Sequence, residues 1–88
     1  MKYIPDILIQ VLQLTMPRQR WYREYYLFSS HWKKFARKMR KNASEMCMYC
    51  HKPGRSLDVH HLNYDHLWNE SFDDVIVLCR ECHIEAHR

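Results

Sequence analysis

The sequence predicts a small α+β domain in which basic helices precede a two-stranded part held together by a metal ion. The first observation is the cysteines, which form two Cys-x2-Cys pairs enclosing short apolar stretches with strand character. The second is residues 18–45, which are basic, aromatic and helical in pattern. A chain of 88 residues forms one domain at most. Its core is marginal, and small domains of this kind commonly depend on a structural metal.

The N-terminal zone, residues 1–17, ends at Pro17 and has a mixed composition. It is either a short amphipathic helix or an apolar arm that packs on the rest of the domain or on a second subunit. The apolar face of that helix would be formed by Ile7, Leu8, Val11 and Leu12. This zone is therefore the candidate interface of a homodimer. The remaining residues, 18–88, form the domain, with a basic helical part, 18–45, and a metal-binding part, 46–88.

The basic part contains a helix with one apolar face. Ser29 or Ser30 is a suitable N-cap for this helix. The apolar positions recur with helical spacing, at Trp32, Phe35, Ala36 and Met39. We expect these side chains, and the aromatic residues between positions 21 and 26, to form the core rather than to stack on bases.

Positive charge is concentrated in the same part of the chain. The net charge is +4, but residues 18–41 hold nine Lys and Arg against Glu24 alone. Such a block favours a polyanionic partner, most commonly nucleic acid, while a solvated helix face is an equally good interpretation of the charge. The residues expected to contact DNA phosphates are Lys33, Lys34, Arg37, Lys38, Arg40 and Lys41.

Two short strands and a helix are predicted after the first cysteine pair. Residues 57–61 form the first strand, and residues 75–78, which are apolar and rich in β-branched side chains, form the second. Between them lies a polar, aromatic loop, 62–73. Residues 80–88 contain no helix breaker and predict a final helix.

The four cysteines are predicted to hold one structural zinc ion. Cys47 and Cys50 form one pair, Cys79 and Cys82 form the other, and 28 residues separate the pairs. Each pair can direct two thiolates at one tetrahedral position, with Zn–S distances of about 2.3 Å. Four sulfur ligands leave no open position for a substrate, so the site would be structural. Two disulfides or free thiols are the alternative, and a reducing cytosol favours the metal.

A second metal site is predicted from the histidines. His83 and His87 are four residues apart on the final helix, which places both imidazoles on one face, about 5–6 Å apart at Cβ. His60 and His61 are neighbours on a strand and point to opposite faces, so they cannot both bind that ion in the same way. One of them would bind, and the other would be available to move a proton. Phosphodiester hydrolysis needs this division between a base and a cation.

The segment LDVHHLNYDHLWNESFDDVIVLCRECHIEAHR, residues 57–88, resembles the motif of the HNH endonucleases, the ββα-metal finger. The upstream segment YYLFSSHWKKFARKMRKNASEMCMYC resembles the helix and first cysteine pair of HNH domains of phage and bacterial origin. The resemblance extends over residues 25–88. It implies two strands and a helix around one divalent ion, and metal-dependent cleavage of DNA, either by nicking or by cutting both strands.

The resemblance also implies a role for each matching residue. His61 matches the general base that activates water, and His60, just before it, matches a metal ligand. His83 and His87 match metal ligands on the helix. The cysteines match the zinc-binding cysteines of a large subset of members.

The middle position of the motif differs from the family pattern. Where the family has Asn at the start of the second strand, this chain has Asp74, with Asp73 as the neighbouring alternative. In the family this side chain braces the loop that carries the base. An ionised Asp accepts hydrogen bonds from backbone N–H groups but cannot donate. Asp74 is therefore expected to brace His61 or to bind the metal through water.

The predicted catalytic ligands are all imidazoles, which favour Mn²⁺ or Ni²⁺ over the oxygen-seeking Mg²⁺. The expected partner is DNA, held largely through phosphates, with RNA as the weaker option. The alternative function is a non-catalytic zinc module that only binds nucleic acid or another protein. That module would explain the cysteines and the basic block but not the histidine cluster.

The expected location is the cytoplasm of a bacterial or phage-infected cell. No stretch approaches the roughly 18–20 apolar residues of a membrane span. The apolar residues 7–14 are interrupted by polar ones, and no small-residue cleavage site follows, so we expect no secretory signal and no membrane partner.

Overall fold

The computed structural model describes residues 3–53 and 56–86, and they form an α+β structure, as predicted. The chain packs as two compact units, Met1–Phe35 and Ala36–Arg88. The helices and strands are α1 (Asp6–Gln13), α2 (Arg18–Glu24), α3 (Ser30–Asn42), β1 (Leu57–His61), β2 (Val75–Cys79) and α4 (Arg80–Ala86). Short 3-10 helices at Tyr26–Phe28 and Phe72–Asp74 precede α3 and β2.

The core of the first unit is built from large side chains of consecutive helical elements. Ile9 of α1, Trp21 of α2 and Tyr26 are almost completely buried. The Trp21 Nε1–H group donates to the carbonyl oxygen of Ile9 at 2.8 Å, and the Trp21 and Tyr26 rings lie 5.2 Å apart. These aromatic residues are core residues, as the sequence predicts.

Two side chains cap the N-terminus of α3, where the first backbone N–H groups of a helix lack partners within the helix. The hydroxyl oxygen of Ser29 accepts the N–H of Trp32 at 3.1 Å, which makes Ser29 the N-cap. The carboxylate of Asp6 accepts the N–H groups of Ser30 and His31 at 2.8 and 2.9 Å. The start of α3 is therefore fixed by both a local cap and a residue of α1.

The helix α3 has the predicted apolar and basic faces. Trp32, Ala36 and Met39 are buried, and Phe35 is half-buried. The predicted DNA-contacting residues are exposed, except for the half-buried Arg40. The helical spacing of the apolar residues therefore places them on one face of α3 and the cations on the other.

The second unit contains a two-stranded antiparallel sheet followed directly by a helix. In this sheet Leu57 lies opposite Cys79, and His61 lies opposite Val75. Successive side chains of a strand point to opposite faces, so His61 shares a face with Leu57 while His60 shares the other face with Asp58. The strands and α4 together give the predicted ββα arrangement.

None of the helices within residues 3–53 and 56–86 has the length and apolar character needed to cross a membrane.

Candidate metal centre and catalytic site

The four cysteines come together at one point of the second unit. All are free thiols, and their sulfur atoms lie within 4.8 Å of one another. Four sulfurs at about 2.3 Å from one tetrahedral ion would be about 3.8 Å apart. The Sγ atoms of Cys50 and Cys79 are 3.8 Å apart, which fits this geometry and is too long for a disulfide. The cluster is therefore compatible with a structural zinc ion.

Backbone N–H groups support the sulfur atoms in both cysteine pairs. The N–H of Cys50 donates to Cys47 Sγ at 3.4 Å, and the N–H of Cys82 donates to Cys79 Sγ at 3.5 Å. The chain turns back immediately after the first pair, where His51 adopts a left-handed φ of 63° and is exposed. His51 does not belong to the sulfur cluster. The N–H groups of Cys50 and Cys82, which donate to sulfur, suit sulfur atoms that are thiolates.

Because the four sulfur atoms lie close together, the thiols of Cys47 and Cys82 have different pKa values. Burial raises the pKa of the Cys47 thiol, but backbone N–H donors from Cys50, Cys79 and Tyr49 outweigh it and bring the pKa below its usual value. The Cys79 sulfur, together with burial, raises the pKa of Cys82. A negative charge on one sulfur thus disfavours deprotonation of the neighbouring thiol. A bound divalent cation removes this conflict because it deprotonates coordinating thiols.

His60 and His83 face each other between β1 and α4. The Nδ1 atom of His60 and the Nε2 atom of His83 are 3.1 Å apart. Two imidazole nitrogens bound to one ion at about 2.0–2.1 Å would be about 3.3 Å apart at tetrahedral angles, so the spacing fits a shared metal. His87, the third predicted ligand, lies outside the described residues.

Asp58 occupies the position behind His83. Its Oδ2 atom is 2.9 Å from His83 Nδ1, and the Arg80 guanidinium also contacts its carboxylate, at 3.2 Å. Metal-bound histidines commonly donate their second ring N–H to a carboxylate, which orients the ring and increases its basicity. The sequence did not single out Asp58. The available signal was its place two residues before His60, which puts both side chains on the same face of β1.

His61 lies on the opposite face of β1 and is enclosed. Its Nε2 atom is 2.8 Å from Glu70 Oε2, and both side chains are only 1% exposed. The ring of Tyr64 lies 5.7 Å from that of His61, with an angle of 34° between the planes. The structure thus separates His61 from the His60–His83 pair by the thickness of the strand. Glu70 carries no sequence signal because it lies in a loop without periodicity.

Asp74 is buried and accepts hydrogen bonds from both sides of the loop between the strands. Its Oδ2 atom accepts the Ser71 backbone N–H at 2.8 Å, and its Oδ1 atom lies 3.2 Å from Asn63 Nδ2 and 3.1 Å from His66 Nδ1. The backbone oxygen of Asp74 accepts the N–H of Leu62 at 2.8 Å. All these partners can act as donors, which suits an ionised carboxylate because it only accepts hydrogen bonds.

The same contacts determine the acidity of this carboxyl group. The backbone N–H of Ser71, followed by the side chains of His66 and Asn63, holds the pKa of Asp74 well below its usual range. Asp74 is therefore ionised at neutral pH. The observed contacts bind the loop rather than the His61 ring, and the catalytic role of Asp74 stays a prediction.

Residues 47–88 match the family model of the HNH endonucleases. The matched segment contains both cysteine pairs, both strands and α4, so this part of the chain is similar to the HNH endonucleases. No curated protein and no solved structure gives a significant match.

Proposed function

We propose that the chain is a metal-dependent DNA endonuclease that hydrolyses phosphodiester bonds, by nicking or by cutting both strands. The observation that carries this proposal is the 3.1 Å approach of His60 Nδ1 and His83 Nε2 inside the segment that matches the HNH family. The alternative of a non-catalytic zinc module gives no reason for this pair, because the cysteine cluster already joins β2 and α4 to the segment before β1. The cysteines are assigned to structural zinc.

His60, His83 and His87 are the proposed ligands of one catalytic divalent ion. When bound, such an ion stabilises the charge that develops on the phosphorane and the leaving oxygen. Asp58 supports the proposal because it accepts from the far side of the His83 ring at 2.9 Å. Since imidazole nitrogen is a poor ligand for Mg²⁺, Mn²⁺ or Ni²⁺ should support cleavage better.

His61 is the proposed general base. A histidine suits this role because its ordinary pKa lies near neutrality. Its Nε2 atom is held by Glu70, so proton transfer would use Nδ1. The ring is only 1% exposed, so water and DNA reach it only if the loop between β1 and β2 shifts when DNA binds. Catalytic contacts of this kind often form fully only in the substrate complex.

The exposed cations of α3 are proposed to hold DNA phosphates. Contacts to phosphates position a protein on DNA but carry little sequence information, so we expect weak sequence specificity.

The proposed interface of a homodimer is formed by the exposed apolar residues of α1 and of the turn after it, which are Ile7, Leu8, Val11 and Leu14. We propose that the protein acts in the cytoplasm.

The test is relaxation of supercoiled plasmid by the zinc-loaded chain with added Mn²⁺. The wild type should nick the plasmid, and His61→Ala should lose about 100-fold or more of the rate while still binding DNA. His66→Ala is the matched control, because His66 also bonds to a carboxylate but is 58% exposed. Loss of cleavage in His66→Ala and not in His61→Ala would reassign the base.

The non-catalytic zinc module is the competing function. It predicts that wild type and His61→Ala bind DNA equally and cleave nothing with Mn²⁺, Ni²⁺ or Mg²⁺. Fastest cleavage with Mg²⁺ would leave the endonuclease in place but contradict the proposed ligand set.

A further inference from the structure

Glu70 contacts His61, the proposed base, but has no assigned role of its own in the proposed reaction. Glu70 lies nine residues after His61, near the end of the loop that joins β1 to the following 3-10 helix. Its Oε2 atom is 2.8 Å from His61 Nε2, which is a normal length for a hydrogen bond between an imidazole N–H and a carboxylate. The pair therefore connects the predicted base to the far end of this loop.

Both side chains of this pair are buried, and burying a charged group has a free-energy cost. A carboxylate that is 1% exposed is costly unless it is hydrogen-bonded. A buried ionic pair also gains little stability over apolar side chains of the same size. Stability alone therefore does not explain why this loop carries Glu at position 70 and the strand carries His at position 61.

The contact has a defined consequence for the imidazole. A carboxylate acceptor at Nε2 keeps the proton on that nitrogen and leaves Nδ1 as the basic one. It also fixes the rotation of the ring, which otherwise has two-fold freedom about its last torsion. His61 needs such a constraint because its side chain leaves β1 on the face opposite His60, away from the groups that orient the proposed metal ligands.

We propose that Glu70 is the positioning residue for His61, holding its ring in the tautomer with Nε2 protonated and Nδ1 basic. This role rests on the proposed endonuclease function, in which His61 is the base. Glu70 touches neither substrate nor metal in this scheme and acts only through the ring. Its effect on cleavage should therefore depend completely on the presence of His61.

The first measurement is made on the zinc-loaded wild type, without added catalytic metal. Long-range proton–nitrogen NMR spectra of the histidine rings should show His61 with Nε2 protonated and Nδ1 unprotonated. In Glu70→Gln, which preserves the shape of the side chain, that tautomer should no longer dominate. In Glu45→Gln, an exposed carboxylate of the same unit, it should be unchanged. A wild-type ring protonated at Nδ1 and not at Nε2 would overturn the proposal.

The second measurement is a double-mutant cycle on single-turnover plasmid nicking with Mn²⁺. Glu70→Gln should lower the rate by about 100-fold with unchanged DNA affinity, and in a His61→Ala background it should change the residual rate by less than about 2-fold. Equal losses in both backgrounds would overturn the proposal, because Glu70 would then act without His61. If the wild type cleaves nothing, the endonuclease proposal fails, while the tautomer measurement still decides whether Glu70 holds the ring.

Discussion

At the residue scale, the second unit pairs each of three histidines with a different carboxylate, and the pairs are His83 with Asp58, His61 with Glu70, and His66 with Asp74. The sequence predicts metal ligands among the histidines of β1 and α4 from their spacing on a strand and a helix. Asp74 was singled out only by the resemblance, and Asp58 and Glu70 were not predicted. Two of these carboxylates reach their partners across the loop, and contacts of that kind depend on how the loop closes.

Asp74→Asn tests the acceptor-only role of Asp74. An amide has one oxygen, so it cannot accept from Ser71, Asn63 and His66 together, and its NH₂ group would face donors. We expect the variant to unfold at a lower temperature than the wild type at pH 7. Asp73→Asn changes an exposed neighbour, and its free energy of unfolding should lie within about 0.5 kcal/mol of the wild-type value. Thermal unfolding followed by circular dichroism measures both.

The difference between wild type and Asp74→Asn should also depend on pH. Because the pKa of Asp74 is depressed in the folded chain, its contribution is fully present above the unfolded value of about 3.9 and is lost as the pH falls towards the folded value. The gap in unfolding temperature should therefore persist from pH 7 to pH 5 and begin to narrow near pH 4. Zinc content is measured at each pH, because the comparison holds only where both proteins retain one zinc per chain. A gap that is the same at pH 4 and pH 7 would contradict the assignment.

At the element scale, the predicted strands, the final helix and the apolar face of α3 follow from local signals. β1 has the predicted bounds, and β2 is one residue longer because Cys79 pairs with Leu57. The N-cap Ser29 was one of two predicted alternatives, and the second cap, Asp6, was not foreseen. Periodicity and capping preference are properties of neighbouring residues, whereas Asp6 reaches α3 from 24 residues away.

Zinc bound by the four cysteines should decide whether the second unit folds. Binding energies of structural zinc in small domains are about 10–16 kcal/mol and act as folding energy. We expect Cys47→Ser, or chelation of the wild type, to collapse the dispersion of the amide NMR spectrum of residues 57–86. His51→Asn, which tolerates the left-handed backbone, should keep one zinc per chain and the native spectrum. Native spectra for a zinc-free chain would contradict a structural role of the cysteines.

The basic face of α3 should control DNA affinity through charge. Replacing Lys34 and Arg37 by Gln should weaken binding to all sequences alike and reduce the salt dependence by about one unit for each phosphate that is no longer neutralised. Arg23→Gln, an exposed cation of α2 outside the proposed contact set, is the control. Fluorescence anisotropy over a range of salt concentrations measures both effects. Equal weakening in the α3 and α2 variants would assign DNA binding to net charge rather than to this helix face.

At the scale of the whole molecule, the chain places a four-cysteine cluster and the His60–His83 pair on the same ββα frame. The cysteine cluster joins the segment before β1 to the end of β2 and to α4, and His60 and His83 meet between β1 and α4. The sequence predicts a structural role for the cysteines because four sulfurs saturate one zinc ion, while metal binding by the histidines stays a prediction. The enclosure of His61 was not predictable, because it depends on the closed loop.

The most direct test of a histidine-bound catalytic ion is the initial rate of plasmid nicking with Mn²⁺ by wild type and His83→Ala, both loaded with zinc. We predict cleavage by the wild type that is faster with Mn²⁺ than with Mg²⁺. In His83→Ala the rate should fall by at least about 10–100-fold, with zinc content and DNA binding unchanged. Equal nicking rates for the two proteins would contradict the proposed metal site.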